Sequence, residues 1–431
     1  MSSLASLNPG LRNVVGYLTL QRDKTRTNVS AKNFPTPSQF ALYVSSVSSE
    51  TSKMLTGAPA RIAEIVTKGF ASFSWNLTYN RLESGSKSLG SSSSSSPRLL
   101  LSPASFVSGL DALVSELSNW SPPLEPSASE LACLSLAAAK LWDLDHNRLV
   151  PDVDYTISLQ SGKSMYDNYD AAEEPLFVNV QAEALSKPTF KAFLALLDNY
   201  VSQVGTSETV TPEEREENHN FLTLCYDSAC VKYAHRWLLV NGRTRASDPK
   251  AFVLELERLW FGLYRRKVEN DSSGFEHVFL GEIRDGQVTG FHNWLHLYQQ
   301  EKKGLFDYRG FLKPRRRPLS TPHKSKPASH LQLVTLSFTW DGAPKPASSS
   351  FIGVSPEFEI ALYSLIFLGS DKDKTRVTCG DYKVDVTAYK QICGGRQYIG
   401  TAFPAEAPLD EDEAASKIQN QFKKKSFAAK K

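Results

Sequence analysis

The order of helical and strand-like patterns along the chain is the feature that most restricts its fold. Apolar residues recur with helical spacing through much of residues 130–263, whereas strand-like runs begin only after residue 277. The predicted helices are 130–142, 185–203, 213–239, 249–263 and 356–368, and the predicted strands are 278–280 and 331–340. Helices followed by strands are typical of an α+β fold and argue against alternating strand–helix–strand units. We expect N-terminal helices and C-terminal β-rich lobes.

A low-complexity run of serine divides the chain. Ser91–Ser96 are six consecutive serines, and such a stretch offers no apolar side chains to bury. Within the residues before it, 49–73 have the pattern of an amphipathic helix, whereas Pro9 and Gly10 interrupt an earlier one. The predicted regions are a partly helical, partly disordered N-terminal extension at 1–83, a Ser/Pro-rich linker region at 84–128, a folded domain at 129–405 and a charged tail at 406–431.

Charge and hydropathy exclude several classes of protein. The 49 Lys and Arg residues against 46 Asp and Glu leave a net charge of +3, so any nucleic-acid surface must be local. No window approaches the roughly 18 consecutive apolar residues of a membrane span. The N-terminus lacks the pattern of a secretory signal, so we expect a cytoplasmic or nuclear location. Organellar import is the alternative, because residues 1–49 are basic and rich in Ser and Thr. Five scattered cysteines do not indicate a disulfide framework.

Two of the eight histidines stand out by their surroundings. His277 and His292 are 15 residues apart, and Asp285-Gly286 between them is typical of a tight hairpin turn. Such a hairpin would bring the two imidazoles toward one cleft, where they could act as general base and general acid near neutral pH. The spacing alone leaves a structural role open for both. His235 and His296 lie among apolar residues, and we expect them to be buried and structural.

Five longer segments carry a more specific signal than the histidine spacing. They are Trp142-Asp-Leu-Asp-His-Asn-Arg-Leu-Val-Pro-Asp-Val-Asp-Tyr155, Gly274-Phe-Glu-His-Val-Phe-Leu-Gly-Glu282, Gly290-Phe-His-Asn-Trp294, Phe351-Ile-Gly-Val-Ser-Pro-Glu-Phe-Glu359 and Tyr398-Ile-Gly-Thr-Ala-Phe403. In this order they resemble the motifs of the EndoU family, the XendoU-type uridylate-specific endoribonucleases. The resemblance covers residues 129–405, about two-thirds of the chain.

The resemblance implies a catalytic triad of two histidines and a lysine. His277 and His292 match the family histidines, and Lys345 in Trp340-Asp-Gly-Ala-Pro-Lys345 matches the lysine. It implies cleavage of single-stranded RNA, preferentially at uridines, in which the 2′-OH attacks the adjacent phosphodiester and leaves 2′,3′-cyclic phosphate and 5′-OH ends. One imidazole removes the 2′-OH proton, the other protonates the leaving oxygen, and the ammonium stabilises the transition state. We assign His292 as base and His277 as acid, and the reverse assignment stays open.

The resemblance also implies a base pocket on the closing strand. Thr401 matches a family hydroxyl residue that approaches the base, whereas Phe403 stands where many relatives have Tyr. A phenyl ring still stacks on a pyrimidine, but the lost hydroxyl predicts a looser preference for uridine. A plain core position for Phe403 is the alternative.

Many eukaryotic members of the family need Mn²⁺, so we expect Mn²⁺, or Mg²⁺ in its place, as a cofactor. Glu276 and Glu282 flank His277 at positions where the family has acids, and carboxylate oxygens suit both ions. A solvated or salt-bridged pair of glutamates is the alternative. A bound ion could also act on RNA binding rather than on the bond that breaks.

Two basic segments have several candidate partners. Residues 313–326 hold six Lys or Arg and no acid, and could grip RNA phosphates, direct nuclear import or form a solvated loop. The tail could be disordered, or could form a short basic helix along 414–427 that contacts calmodulin or an anionic surface. We expect a monomer. The competing class of function is an RNA-binding or scaffolding protein with little or no turnover.

Overall fold

Two compact units, Met1–Pro122 and Pro123–Lys431, make up the chain. The computed structural model describes residues 9–30, 47–48, 51, 66, 103–119, 124–312 and 328–408 of the 431. Apart from residues 51 and 66, the predicted helix at 49–73 lies outside the described residues. The basic segment at 313–326 and the tail beyond residue 408 lie outside them as well.

The described part of the first unit is mainly a pair of helices, α1 (Pro9–Ser30) and α2 (Pro103–Asn119), which contact each other. Pro9 begins α1 rather than interrupting a helix, because N–H groups in the first turn have no intrahelical partner to lose. The region predicted as a Ser/Pro-rich linker therefore contains a helix, α2. Two of its apolar residues, Phe106 and Leu110, are fully buried.

The described part of the second unit begins with helices, as the sequence predicts. They are α3 (Ala128–Ala132), α4 (Leu134–Leu144), α5 (Ala182–Leu185), α6 (Pro188–Ala195), α7 (Pro212–Asp227), α8 (Ala229–Val240) and α9 (Pro249–Phe261). The single helix predicted at 213–239 is two helices, α7 and α8. Ser228 separates them, because its backbone is extended and its side chain accepts a hydrogen bond from the Val231 N–H to cap α8.

Strands dominate the later part of this unit. The remaining elements are β1 (Tyr155–Ile157), β2 (Gly162–Lys163), β3 (Phe177–Val180), β4 (Glu282–Arg284), β5 (Gln287–Thr289), α10 (Trp294–Lys302), β6 (Phe306–Leu312), β7 (Leu333–Trp340), β8 (Ala343–Phe351), α11 (Pro356–Gly369), β9 (Lys374–Cys379), β10 (Tyr382–Cys393) and β11 (Arg396–Glu406). Among the described residues, they form a sheet in the order β2-β6-β7-β8, a sheet in the order β11-β10-β9, and the pairs β1–β3 and β4–β5. This confirms the predicted α+β class.

Helix α11 forms the centre of this unit. It is buried on all sides and contacts α4, α8 and β10, as expected of a helix that is apolar all round. Within the described segments, every helix is too short or too polar to cross a membrane.

The prediction of a strand at 278–280 is wrong. Glu276–Leu280 instead form a π-helical turn, closed by a 2.7 Å hydrogen bond from the Gly281 N–H to the Glu276 carbonyl. The apolar residues of this run are buried, and Phe279 packs against Trp260 with ring centroids 5.2 Å apart. Three consecutive apolar residues fit a buried helical turn as well as a buried strand, so their pattern could not separate the two.

Candidate active site

A tight hairpin joins the two histidine segments. Strands β4 and β5 pair antiparallel through Asp285-Gly286, whose φ values of 53° and 75° are the left-handed values of a two-residue hairpin turn. This confirms the hairpin that the sequence predicts. His277 lies in the π-helical turn before β4, and His292 follows β5.

Backbone contacts hold the two histidine segments side by side. The Phe291 N–H donates to the His277 carbonyl over 3.0 Å, and the His292 N–H donates to the Val278 carbonyl over 2.8 Å. Gly290 permits this approach, because its φ is +64° and a Cβ atom there would lie 1.7 Å from the His277 carbonyl oxygen. Only glycine fits at this position.

A buried carboxylate holds the imidazole of His277. Its Nδ1 lies 2.7 Å from Glu282 Oε2, and Glu282 Oε1 lies 3.3 Å from Arg266 Nε. Burial acts to raise the pKa of Glu282, but the hydrogen bond and charge of His277 and the charge of Arg266 hold it below its usual value. Burial lowers the pKa of His277, and Glu282 opposes that effect. Glu282 is therefore ionised at neutral pH, and Nδ1 of His277 donates to it.

A backbone carbonyl holds the imidazole of His292. Its Nδ1 lies 2.9 Å from the Ser349 carbonyl oxygen, so Nδ1 carries the proton and Nε2 keeps the lone pair. Ser348 Oγ lies 3.1 Å from the same nitrogen. Burial, followed by the charge of Lys345, holds the pKa of His292 well below 6.5. The ring is therefore neutral at neutral pH.

Lys345 on β8 completes the predicted triad. Its charge lowers the pKa of both His277 and His292, so the ammonium group acts on both imidazoles. Burial lowers the pKa of Lys345 itself to about 8. The structure thus brings together the three side chains that the sequence singles out.

An irregularity in β8 orients this lysine. Lys345 and Ser348 pair with Phe338 and Leu336 of β7, so β8 has one more residue than β7 between the two pairs. Regular alternation would place residues three apart on opposite faces of the sheet. The β-bulge instead places Lys345 and Ser348 on the same face, and bulges often reorient side chains in this way beside active sites.

Strand β11 places the predicted base-pocket residues near His292. The Phe403 ring stacks on the His292 imidazole, with centroids 4.6 Å apart and an interplanar angle of 14°. Phe403 is half-buried, so it is not a plain core residue. Thr401 is also half-buried and lies two residues earlier, on the same side of the strand.

The two glutamates predicted as metal ligands contact different groups. Both oxygens of Glu282 face cationic side chains, those of His277 and Arg266. Glu276 lines a cavity of about 320 Å³ whose other acidic residues include Glu208, and burial together with the charge of Glu208 raises the pKa of Glu276 to about 8. In the part of the chain that the structure describes, no group of three or more His, Cys, Asp or Glu is arranged to hold a metal ion. The metal site stays a prediction.

His235 and His296 are buried, as the sequence predicts. His235 Nε2 lies 2.8 Å from the Ala246 carbonyl oxygen, and its Nδ1 lies 3.0 Å from the Tyr226 hydroxyl. His296 is fully buried with its Nε2 3.2 Å from the Tyr200 hydroxyl, and burial lowers its pKa to about 3.

Sequence reasoning missed the residues that support the triad, namely Arg266 and the pair Ser348 and Ser349. Arg266 belongs to the run Arg265-Arg266-Lys267, whose local pattern is that of an ordinary basic loop. The serines stand in Ser348–Ser350, which indicates a strand or turn and nothing more. No local signal distinguishes these residues, because their partners are distant in sequence.

Imidazoles and an ammonium group are proton-transfer and charge-stabilising groups, so these three side chains can work together in acid–base chemistry. The chain belongs to the XendoU family: the family model described as Endoribonuclease XendoU matches residues 133–404. The triad and both base-pocket residues lie within the matched region.

Individual relatives agree with this family. The chain is 43% identical over 279 residues to "Uridylate-specific endoribonuclease B" of Danio rerio, covering 63% of this chain and 95% of the relative. It is 42% identical over 284 residues to "Poly(U)-specific endoribonuclease-B" of Xenopus laevis, covering 63% and 93%. Its fold is similar to a solved structure titled "The structure of XendoU: a splicing independent snoRNA processing endoribonuclease", with a TM-score of 0.55 and 38% identity over 66% of this chain and 100% of that one.

Proposed function

We propose that this protein is an endoribonuclease that cleaves single-stranded RNA, preferentially at uridines, and leaves 2′,3′-cyclic phosphate and 5′-OH ends. The observation that carries the proposal is that the two imidazoles have different hydrogen-bond partners at Nδ1. One Nδ1 faces the Glu282 carboxylate and the other faces the Ser349 carbonyl, while Lys345 acts on both rings. Family membership and the printed names of the relatives support the same activity.

His292 is the general base in this mechanism. It is neutral at neutral pH, and the Ser349 carbonyl leaves the lone pair on Nε2. Nε2 removes the proton of the 2′-OH, and the oxygen attacks the adjacent phosphorus. His277 is the general acid: Glu282 stabilises its imidazolium form, and its Nε2 gives a proton to the leaving 5′-oxygen. The Lys345 ammonium stabilises the charge that develops on the phosphoryl oxygens.

The base preference resides on β11. The imidazole of His292 covers one face of the Phe403 ring, and we propose that the remaining exposed part of the ring contacts a pyrimidine. The Thr401 hydroxyl is the hydrogen-bonding group on the same side of the strand. Since Phe403 has no hydroxyl, the preference for uridine over cytidine is looser than with tyrosine.

We also propose that Mn²⁺, or Mg²⁺, binds at the acidic cavity through Glu276 and Glu208. Their carboxylates suit hard divalent ions, whereas Glu282 does not fit as a ligand because cationic side chains face both its oxygens. A bound ion would supply positive charge beside the turn that carries His277. Mn²⁺ titration followed by thermal melting tests this: wild type should gain stability and Glu276→Gln should not. Equal stabilisation of both would reject this site.

Cleavage of oligouridylate is the direct test of the proposed function. The substrate is incubated with the full chain in Mn²⁺ and in EDTA, and the ends of the products are analysed. We expect uridine-dependent cleavage with cyclic phosphate ends. Intact RNA in both conditions, together with retained binding, would instead support the competing RNA-binding or scaffolding function.

Several predictions about partners and location stay open to separate tests. They are a monomeric state, a cytoplasmic or nuclear location, a contact of the tail with calmodulin or an anionic surface, and the three roles considered for residues 313–326. The tail beyond residue 408 and the basic segment both lie outside the described residues.

A further inference from the structure

We propose that Arg266 is a positioning residue that joins the His277–Glu282 pair to strand β11, so that one side chain aligns both proton transfer and base recognition. The proposal rests on the endoribonuclease function proposed above. Arg266 lies in the connection between α9 and the π-helical turn, a segment in which the sequence analysis found no candidate.

The guanidinium group of Arg266 contacts both parts of the site. On one side its Nε lies 3.3 Å from Glu282 Oε1 and donates to Ser272 Oγ over 2.8 Å. On the other side its Nη2 donates to the Gly400 carbonyl over 2.7 Å. Gly400 immediately precedes Thr401, so the guanidinium spans the distance from the carboxylate that holds His277 to the strand that carries the base pocket.

The surrounding residues preset the direction of the guanidinium. Asp271 is almost fully buried, and its carboxylate accepts backbone N–H groups of residues 266, 267 and 268 over 2.6, 2.8 and 3.0 Å. The guanidinium lies over the ring of Tyr264 with 5.2 Å to the centroid, and Nη2 also donates to the Tyr264 hydroxyl over 2.7 Å. The loop and the side chain are thus fixed before substrate arrives.

The charge of Arg266 is difficult to replace. Glu282 is 2% exposed at its side chain, and a buried carboxylate needs compensating charge on each side. A lysine could supply charge beside Glu282, but it lacks the planar fork that reaches Gly400 at the same time. Loss of Arg266 should therefore disturb His277 and Thr401 together.

Five variants test the proposal by cleavage of matched uridine and cytidine oligonucleotides. We expect Arg266→Gln to lower kcat by about 100-fold with a small effect on KM, because it misaligns groups that act in the transition state. The ratio of uridine to cytidine cleavage should fall as well. Arg266→Lys should recover part of kcat but not the ratio.

Arg258→Gln is the matched control. Arg258 Nη1 donates to the Gln397 carbonyl over 2.7 Å, on the same strand, whereas the arginine that faces Glu282 is Arg266. It should keep both the rate and the base ratio of wild type. Equal losses in Arg258→Gln and Arg266→Gln would mean that Arg266 only supports the strand, and wild-type behaviour of Arg266→Gln would overturn the proposal outright.

The last two variants, Glu282→Gln and its combination with Arg266→Gln, test whether the arginine acts through the carboxylate. We expect the double variant to lose little more kcat than the worse single variant, since residues that act as a unit are not additive. If the kcat losses of the two single variants multiply in the double variant, Arg266 and Glu282 act independently. That result would contradict the proposed link between them.

Histidine NMR separates failure of this proposal from failure of the proposed function. The His277 imidazole signals, assigned by comparison with His277→Ala, should move in Arg266→Gln and stay in place in Arg258→Gln. Unmoved signals would reject the positioning role even if RNA is cleaved. Moved signals with no cleavage by wild type would reject the endoribonuclease function and keep the link between Arg266 and His277.

Discussion

At the scale of single residues, the chemistry of each imidazole depends on the group that holds its Nδ1. The Glu282 carboxylate favours the protonated form of His277, whereas burial and the charge of Lys345 keep His292 neutral and the Ser349 carbonyl leaves its lone pair on Nε2. Burial lowers the pKa of both imidazoles, but only His277 has a carboxylate partner that opposes this effect. This difference favours the assignment of His277 as acid over the reverse assignment that the sequence leaves open.

Alanine variants test the triad. We expect His277→Ala, His292→Ala and Lys345→Ala each to lose about 100-fold or more in kcat, the size usual for loss of a general acid, base or electrostatic group. All three should keep the fold, since none belongs to the apolar core, but His277→Ala should lower the melting temperature because it removes a cationic partner of buried Glu282. Single-turnover cleavage of oligouridylate measures the loss, and a variant within about threefold of wild type would have no part in the mechanism.

The pKa of Lys345 predicts an alkaline limit for activity. Burial lowers this pKa to about 8, so the ammonium form is complete well below that pH and is lost as the pH rises through it. We expect kcat/KM to fall above about pH 8 for this reason. Lys345→Arg should abolish that particular fall, because a guanidinium stays charged up to about pH 12. If the fall persists in the arginine variant, another group causes it.

Phe403→Tyr tests the base pocket. Tyrosine keeps the stacked ring beside His292 and adds a hydroxyl, so we expect a higher ratio of uridine to cytidine cleavage. The ratio is measured by competition between two oligonucleotides that differ at one base. An unchanged ratio would show that this position does not contact the edge of the base.

At the scale of elements, local signals predicted the hairpin but not the turn beside it. Asp285-Gly286 specifies a turn by its own backbone preferences, so the pairing of β4 and β5 could be predicted. The π-helical turn at Glu276–Leu280 depends on packing against residues such as Trp260, which a local pattern does not contain. Arg266 could not be found for the same reason, because its partner Gly400 lies 134 residues away.

Gly290→Ala tests the approach of the two histidine segments. A methyl group there would meet the His277 carbonyl, so we expect loss of cleavage together with lower stability. Gly286→Ala is the matched control, because it has a similarly positive φ but a Cβ atom would meet nothing within 4 Å. It should lose only about 1–2 kcal/mol of unfolding free energy, the cost of the left-handed backbone, and keep its activity. Equal activity in both variants would contradict the steric argument.

At the scale of the whole molecule, the family match accounts for only part of the chain. It covers residues 133–404 and leaves out the first compact unit, whose described helices are α1 and α2. The sequence motifs predicted the triad and the closing strand. All of these residues lie within the matched region. The pattern of the first 128 residues predicted a partly helical extension and a linker, but it did not predict that α2 would contact α1 across the serine run.

Deletion of residues 408–431 tests the C-terminal limit of the catalytic unit. Strand β11 ends at Glu406, and the Ala407 N–H still donates to the Lys383 carbonyl over 2.9 Å. Since the triad and base pocket precede this point, we expect the rate on short oligouridylate to stay nearly unchanged. A loss of about tenfold would show that the tail belongs to the catalytic unit.

The bulge in β8 makes the catalytic arrangement incompatible with an ideal sheet. If the same residues ran without a bulge, strict alternation would place Lys345 and Ser348, which are three residues apart, on opposite faces of the sheet. A strand of the same length with regular pairing would therefore turn either the lysine or the serine away from His292.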